Sequence, residues 1–360
     1  MRLESAQGLK QELLKSIVEP FLLRARRLST RDAMAVGARP FETLPQLHRT
    51  VALGVAPHRG EYRLAVRVQR PSLVQSPLIE LLTRQASGEI DLRMVGRIDK
   101  RTKTHRAARR SSGTTARLSA SAAAAIPWYR RNTRPLLIGA SVGHVGVTAG
   151  TIGAFVRRGD ATYLLSNNHV LANENLAKVG DRILQRAAYD GGKQPSERVA
   201  RLRFWIRLRK TGTNLADAAL AEIDAGVPVD FSRLRGLVSG KDGRLAGLGP
   251  VSVDAQETMF KIGRTTGPTA GRVTAFDIDN VIVNYDAGNL RFDNQIEIEG
   301  AGRKAFSDGG DSGSLIVNAG MQAAALLFAG GDSGGSNGLG LTYANPIHNV
   351  LKDLKATLLF

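Results

Sequence analysis

The chain has 360 residues, of which 42% are hydrophobic and 5% aromatic, and it contains 39 glycines and no cysteine. This length and composition predict two globular domains rich in turns and exclude a disordered chain. The lack of cysteine excludes disulfides, thiolate catalysis and cysteine-ligated zinc, and it agrees with a reducing compartment. Because no signal-peptide or membrane-spanning hydrophobic stretch is evident, we expect a cytoplasmic protein.

The formal net charge of +18 is concentrated in the first third of the chain. Residues 1–135 carry 26 Lys and Arg against 10 Asp and Glu, whereas the remainder carries 24 against 22. We therefore expect a basic N-terminal domain at 1–99, a basic Ser/Ala-rich linker at 100–135 and a second domain at 136–360. A solvated linker is the favoured interpretation of residues 100–135. The alternative is an arm that binds nucleic acid, although no recognised nucleic-acid motif accompanies the charge.

The N-terminal domain is predicted to be small and to mix helix with strand. Apolar residues recur at helical spacing across residues 4–27. Strands are expected at 51–55 and 62–68, followed by a helix at 78–84 and a strand at 90–98. Nothing in this part has catalytic spacing.

The remainder of the chain shows many short runs of aliphatic and β-branched residues separated by glycine. This pattern predicts a mainly β domain, a sandwich or a barrel, closed by a helix over residues 345–354. The expected strands are residues 145–147, 150–156, 161–165, 198–205, 218–223, 259–262, 271–276, 281–283, 295–298, 314–317, 322–328 and 339–343.

Three side chains offer the parts of a nucleophilic site, in the order His, Asp, Ser. A serine hydroxyl needs an imidazole to take its proton and a carboxylate to hold that imidazole. His169 follows a predicted strand, Asp217 enters another, and Ser312 lies in a Gly-Asp-Ser-Gly sequence. His144 is the rival base, but no strand precedes it, and we expect it to be structural.

The segments around these residues resemble a known family. Residues 166–171 (Ser-Asn-Asn-His-Val-Leu), 217–220 (Asp-Ala-Ala-Leu) and 310–315 (Gly-Asp-Ser-Gly-Ser-Leu) resemble the catalytic segments of chymotrypsin-fold (trypsin-like) serine proteases. Residues 261–274 are similar to a strand and turn of intracellular bacterial trypsin-like peptidases and plant narrow-leaf-type proteases. The resemblance covers roughly residues 138–351. It implies a double six-stranded β-barrel with the triad in the cleft, and peptide-bond hydrolysis through an acyl-enzyme. Because the sequence has no His-x-x-x-His or paired carboxylate–histidine spacing, we expect no metal, and we expect no cofactor.

Gly-Asp-Ser-Gly occurs twice, at residues 310–313 and 331–334. Ser312 precedes a strand, a tight turn and another strand, as the resemblance requires of the nucleophile, whereas Ser333 is expected in a glycine-rich surface loop at the pocket rim. The backbone N–H groups of Gly310 and Ser312 are the expected oxyanion hole. Asp311 is expected to order this loop through an internal ion pair or hydrogen bond.

The substrate pocket is expected to be formed by Phe306, Gly330 and Gly331. In the family the pocket floor lies six residues before the nucleophile, where this chain has Phe306, so we expect cleavage after apolar or small residues. Asp308 is the alternative pocket residue. Residues 136–139 (Leu-Leu-Ile-Gly) also raise the hypothesis of an activating cut near Arg134, whose new amine would pair with the acid before the serine.

Taken together, the sequence predicts a serine endopeptidase that is gated or targeted by its N-terminal domain. Its expected partners are a protein or peptide substrate and a regulatory protein, with no membrane. Two alternatives stay open: a non-catalytic or latent scaffold with a protease fold, and a nucleic-acid-binding regulator that uses the basic N-terminal part.

Overall fold

The computed structural model describes residues 1–20, 51–101, 126–250 and 257–360. Within these ranges, no helix is long and apolar enough to cross a membrane. The helix expected over residues 4–27 is present as α1 (Leu3–Leu13), which continues into a π-helical turn, Leu14–Val18. Its predicted end lies outside the described residues, as do residues 102–125 of the predicted linker.

The N-terminal part follows the predicted order of elements. These are β1 (Val51–His58), β2 (Glu61–Val68), α2 (Pro71–Val74), α3 (Pro77–Gln85) and β3 (Ile90–Met94). β1 and β2 form an antiparallel hairpin, and β3 lies parallel to β2. Helix α1 packs its apolar side on this sheet, so the three strands have one covered face.

A two-residue strand, β4 (Asp99–Lys100), leads from this part toward a first barrel. The elements of the barrel are β5 (Ser141–His144), β6 (Gly150–Thr151), β7 (Ala154–Arg158), β8 (Ala161–Ser166), α4 (Asn168–Leu171), β9 (Arg182–Leu184), β10 (Arg198–Trp205) and β11 (Ala219–Ile223). β6 and β7 are two halves of one bent strand, which pairs with β5 at its start and with β8 at its end. The order then runs through β11, β10 and β9 back to β5, which closes the barrel.

The second barrel repeats this strand order without a repeat in sequence. The remaining elements are β12 (Arg233–Val238), β13 (Lys241–Arg244), β14 (Gly247–Leu248), β15 (Thr258–Gly263), β16 (Gly267–Asp279), β17 (Val281–Tyr285), β18 (Gly288–Phe292), β19 (Gln295–Gly300), β20 (Leu315–Val317), β21 (Gln322–Gly334), β22 (Gly340–Pro346), α5 (Ile347–Leu354) and β23 (Thr357–Leu358). Pairing runs β15, β16, β19, β22, β21, β20 and back to β15. The predicted double barrel with a C-terminal helix is therefore confirmed.

Two local predictions were wrong. Residues 145–147 form a turn instead of a strand, because the Gly146 N–H donates to His144 Nδ1 (3.0 Å) and the Val147 N–H donates to the His144 carbonyl (2.9 Å). Ser333 lies within β21 and not in a loop, since β21 continues to pair with β22 as far as Gly334 and Gly340.

The N-terminal strands join the sheet of the second barrel. β1 pairs with β16 at Leu53–Asp279 and Val55–Phe276. The buried guanidinium of Arg67 on β2 also binds the buried carboxylate of Glu297 on β19 at 2.9 Å. Residues 126–135 lie against the barrels; Arg130, for example, donates to the Arg264 carbonyl at 3.1 Å. The domain boundaries at 99 and 135 stay a prediction.

Candidate active site

His169 and Asp217 form a buried pair at the end of two neighbouring strands of the first barrel. β8 delivers His169 through α4, and Asp217 precedes β11, which pairs with β8. His169 Nδ1 and Asp217 Oδ2 are 2.5 Å apart, and the His169 backbone N–H donates to Asp217 Oδ1 at 3.2 Å. The carboxylate therefore fixes both the ring and the backbone of the histidine. Nδ1 faces the acid, and Nε2 is the ring nitrogen that Asp217 does not bind and that could accept a proton.

Three further side chains hold Asp217, and sequence analysis identified none of them. Tyr285 at the end of β17 donates its hydroxyl to Asp217 Oδ2 at 2.6 Å. Asn167 donates its amide to the Asp217 carbonyl at 2.7 Å, and the Asp217 N–H donates to Asn345 Oδ1 at 3.0 Å. Because Tyr285 and Asn345 belong to the second barrel, the acid of the first barrel is positioned by both.

These contacts keep the buried Asp217 ionised. Burial alone would raise the pKa of its carboxyl, but the His169 imidazole and the hydroxyl of Tyr285 hold that pKa below its usual range. Burial and the nearby carboxylate raise the pKa of Tyr285 well above its ordinary value, so its hydroxyl stays a donor. A carboxylate of this kind stabilises an imidazolium when His169 accepts a proton.

Asp311 anchors the loop that carries Ser312. Its carboxylate lies 3.2 Å from Lys261 Nζ on β15, and both side chains are fully buried. It also accepts hydrogen bonds from the backbone N–H groups of Thr265 (2.7 Å) and Asp308 (3.0 Å) and from the Thr266 hydroxyl (2.7 Å). The expectation that Asp311 orders the loop internally is confirmed.

This arrangement bears on the hypothesis of an activating cut near Arg134. Burial would raise the pKa of Asp311, but the Lys261 ammonium and the converging hydrogen bonds hold it below the ordinary value. The carboxylate thus already has a cationic partner, supplied by Lys261. Leu136, just after the proposed cut, is buried and donates its N–H to the Pro228 carbonyl at 2.8 Å. In the intact chain Lys261 is thus the cation that pairs with Asp311, and the activating cut stays a hypothesis.

The Ser312 hydroxyl makes no hydrogen bond to the His169 imidazole. Ser312 Oγ donates to the Phe328 carbonyl at 3.3 Å, and within the described residues His169 Nε2 is buried without a hydrogen-bond partner. The two residues are neighbours nonetheless, because a Cβ added at Gly150 would lie 3.0 Å from the Ser312 carbonyl oxygen and 2.5 Å from Val170, the residue after His169. The structure brings the three predicted residues into one region, with the serine–histidine hydrogen bond unformed.

Gly310 adopts a backbone conformation that directs its N–H into the cleft. Its φ is +99°, in the left-handed region that favours glycine, and a Cβ there would lie 2.5 Å from Thr265 Oγ1. The Gly310 N–H donates to the carbonyl oxygen of Arg101 at 2.5 Å. The first predicted oxyanion donor therefore already holds a peptide carbonyl.

Residues 99–101 occupy the cleft as an added strand. β4 pairs antiparallel with β21, with Lys100 opposite Ala329 and Asp99 opposite Gly330. The Arg101 N–H donates at 3.1 Å to the Phe328 carbonyl, which also accepts from Ser312 Oγ. Ser312 is 0% exposed and His169 is 2% exposed, so the site is closed to solvent.

Of the three residues expected to form the pocket, Gly330 and Gly331 lie beside Arg101 and Phe306 does not. Phe306 is 1% exposed and packs in the core of the second barrel, while its neighbours Ser307 and Asp308 line a cavity of about 570 Å³ together with Arg101 and Gly331. The side chain of Arg101 forms part of the wall of this cavity. Gly331 and Asp332, from the second Gly-Asp-Ser-Gly copy, bind its guanidinium.

Ser333 and His144 have other partners. The Ser333 hydroxyl donates to the Val95 carbonyl at 2.9 Å, which ties β21 to the segment after β3. His144 Nε2 lies 3.1 Å from Asp181 Oδ2 on the surface of the first barrel. Both residues therefore have structural contacts of their own.

Neither a protein-family model nor a curated protein matches this chain. Solved structures do. Thermobifida fusca protease A is 18% identical, with 62% of this chain and 97% of that one covered and a TM-score of 0.44. The Cellulomonas bogoriensis chymotrypsin is 20% identical (62% and 97% covered, TM-score 0.43), and the Nocardiopsis protease is 16% identical (62% and 98% covered, TM-score 0.45). The order in which the strands close both barrels gives this chain a chymotrypsin-like double β-barrel fold.

Proposed function

We propose that the chain is a serine endopeptidase in which Ser312 is the nucleophile, His169 the general base and Asp217 the residue that orients the base. The observation that carries the proposal is the pairing of a buried His169–Asp217 dyad with a glycine N–H that already binds a peptide carbonyl beside Ser312. These are the parts that acyl transfer needs: a base with one free nitrogen, and a donor for the oxyanion.

The reaction starts with rotation of the Ser312 side chain from the Phe328 carbonyl toward His169 Nε2. His169 then takes the hydroxyl proton while Oγ attacks the substrate carbonyl, and the N–H groups of Gly310 and Ser312 stabilise the oxyanion. His169 returns the proton to the leaving amine. Water, activated by the same imidazole, hydrolyses the acyl-enzyme.

A latent, non-catalytic protein is the second candidate, and two observations favour it. The serine–histidine hydrogen bond is not formed, and residues 99–101 fill the cleft. Under this alternative, the cleft strand is a permanent plug. Nucleic-acid binding by the linker falls largely on residues 102–125, outside the described residues, and it remains a prediction, as does a cytoplasmic location.

Labelling with a fluorophosphonate, combined with hydrolysis of an unfolded protein such as casein, separates the candidates. The proteins to compare are wild type, Ser312→Ala, the matched control Ser333→Ala, and Arg101→Ala, which weakens the cleft strand. We expect Ser312→Ala alone to abolish both signals. Labelling that persists in Ser312→Ala would refute the assigned nucleophile, and silence of both wild type and Arg101→Ala would establish the latent protein.

A further inference from the structure

Residues 99–101 are bound in the cleft in the same way as substrate residues on the N-terminal side of the cleaved peptide bond. Three consecutive contacts fix it: the pairing of Asp99 with Gly330, the N–H of Arg101 on the Phe328 carbonyl, and the carbonyl of Arg101 on the Gly310 N–H. Strand addition of this kind places main-chain groups first and then offers alternate side chains to pockets. The last of the three contacts is the one that an oxyanion donor makes with the carbonyl group under attack.

The guanidinium of Arg101 lies at the wall of the adjoining cavity and is bound through its two terminal nitrogens, while its buried Nε has no hydrogen-bond partner among the described residues. Its Nη2 donates to the Gly331 carbonyl at 2.6 Å, and its Nη1 lies 3.2 Å from Asp332 Oδ1. A Cβ at position 330 would overlap Arg101 Nε, so glycine at that position makes the room that the guanidinium uses. The Asp332 side chain is 98% exposed and its ion pair is weak, so the backbone carbonyl and the space above Gly330 matter more.

On the other side of the strand, Lys100 makes a stronger ion pair than the one between Arg101 and Asp332. Its ammonium binds Glu174 and, at 2.6 Å, Asp286. The Glu174 carboxylate is largely buried and is aimed by the backbone N–H groups of Asp286 (3.2 Å) and Ala287 (2.8 Å). Asp99 in turn accepts from the Asn284 amide at 2.9 Å. Each of the three strand residues thus meets a group of matching chemistry.

We infer that the peptide bond after Arg101 is a substrate of this same site, and that the site cleaves after a Lys-Arg pair. This inference rests on the proposed function, which it extends to a substrate class. It replaces the expected preference for apolar or small residues, because Phe306 is buried in the core, whereas the guanidinium of Arg101 lies at the wall of the cavity and is held by the Gly331 carbonyl.

The step balances with water as the only co-reactant. Ser312 Oγ bonds to the Arg101 carbonyl carbon as its proton passes to His169. The bond from that carbon to the Thr102 nitrogen breaks, and the proton from His169 goes to the Thr102 amine. Water then cleaves the ester, which restores the Ser312 hydroxyl and leaves a carboxylate on Arg101.

The test is the intact mass of the purified full-length chain under denaturing conditions. We expect wild type to yield a fragment that ends at Arg101 and one that begins with Thr102, whereas Ser312→Ala stays whole. Arg101→Ala should be uncut at this bond. Lys100→Met should slow the cut about tenfold, because it removes the ion pair with the buried Glu174, whereas the ion pair with the exposed Asp286 contributes little. Arg84→Ala is the matched control, because that side chain is exposed on α3, away from the cleft strand, and it should be cut like wild type.

A peptide assay gives a second readout that does not depend on folding of the variants. Wild-type protein should hydrolyse a fluorogenic Asp-Lys-Arg peptide at least about tenfold faster than the Asp-Lys-Leu analogue. Two results would overturn this inference and leave the proposed function standing. In both, fluorophosphonate labels the wild-type protein, but either its chain is uncut after Arg101 or it hydrolyses the leucine peptide faster. A cut that persists in Ser312→Ala would assign it to another protease, while absence of labelling and hydrolysis in both wild type and Arg101→Ala would remove both proposals.

Discussion

Replacing Lys261 by methionine tests the buried ion pair that anchors the nucleophile loop. Methionine is unbranched like lysine but one atom shorter, and it removes the ammonium together with its hydrogen bonds to Thr266 and Gly267, so the Asp311 carboxylate stays buried without its cation. Removing one partner of a buried pair costs about 3–5 kcal/mol. Asp311 retains its hydrogen bonds from Thr265, Thr266 and Asp308, and these partly compensate the charge. We therefore expect a loss near the lower end, about 3 kcal/mol.

The assay is urea unfolding, combined with the rate of fluorophosphonate labelling. Loosening the loop misplaces the Gly310 N–H, and loss of one oxyanion donor slows catalysis about 10²- to 10³-fold. Lys241→Met is the matched control: Lys241 is exposed on β13, so its replacement should change the free energy of unfolding by less than about 0.5 kcal/mol. The double variant Lys261→Met/Asp311→Asn should lose markedly less than the sum of its two single variants.

A Lys261→Met protein that loses less than about 1 kcal/mol, and is labelled at the wild-type rate, would refute this reasoning. Strict additivity in the double variant would refute it too, because it would mean that the two side chains do not stabilise each other.

Three other outcomes are expected. Tyr285→Phe removes a charge-assisted hydrogen bond to Asp217 and should slow labelling about tenfold at neutral pH, measured as a rate constant beside wild type. The pKa values of Asp217 and Asp311 in the folded protein lie below the unfolded value of about 3.9, so these two carboxylates stabilise the fold above that pH. Their contribution is lost as the pH falls through the folded pKa values. Urea unfolding across this acidic range should show the decline in the free energy of unfolding, and a flat profile would contradict the prediction. Gly330→Ala should lower the ratio of kcat/KM for peptides ending in arginine over those ending in alanine at least about tenfold, because the new methyl group overlaps the position of the Arg101 side chain. An unchanged ratio would show that substrate arginine does not bind there.

The sequence predicted the parts of this protein that depend on local pattern. Strand periodicity placed most barrel strands. The order of His169, Asp217 and Ser312 predicted three residues that the structure brings into one region, with the His169–Asp217 hydrogen bond formed and the Ser312–His169 hydrogen bond unformed. The sequence did not predict β9, because three residues are too few to show the alternation of apolar and polar side chains that marks a strand. The turn after His144 was mistaken for a strand because its valines have the right composition, while the turn itself depends on a histidine side chain.

The residues that position the site escaped because their role depends on distant partners. Lys261 lies 50 residues before Asp311, so no local pattern links the two. Strand alternation does place Lys261 on the same face of β15 as the buried Met259, and this indicates that its side chain points into the core. Tyr285 shares a buried face with Val281 and Val283, so its pattern resembles core packing. Arg101 fell at a predicted domain boundary, where nothing local indicates that it enters the cleft.

The pairing of β1 with β16 determines what a cut at Arg101 would produce. The N-terminal fragment would stay attached through that ladder and through the Arg67–Glu297 ion pair, so the result would be a two-chain protein and not a released barrel pair. The new carboxylate of Arg101 would remain tethered beside Ser312 at a local concentration in the millimolar range. Turnover of other substrates would then be limited by competition with the enzyme's own product, and any partner that pulls β4 from β21 would act as an activator.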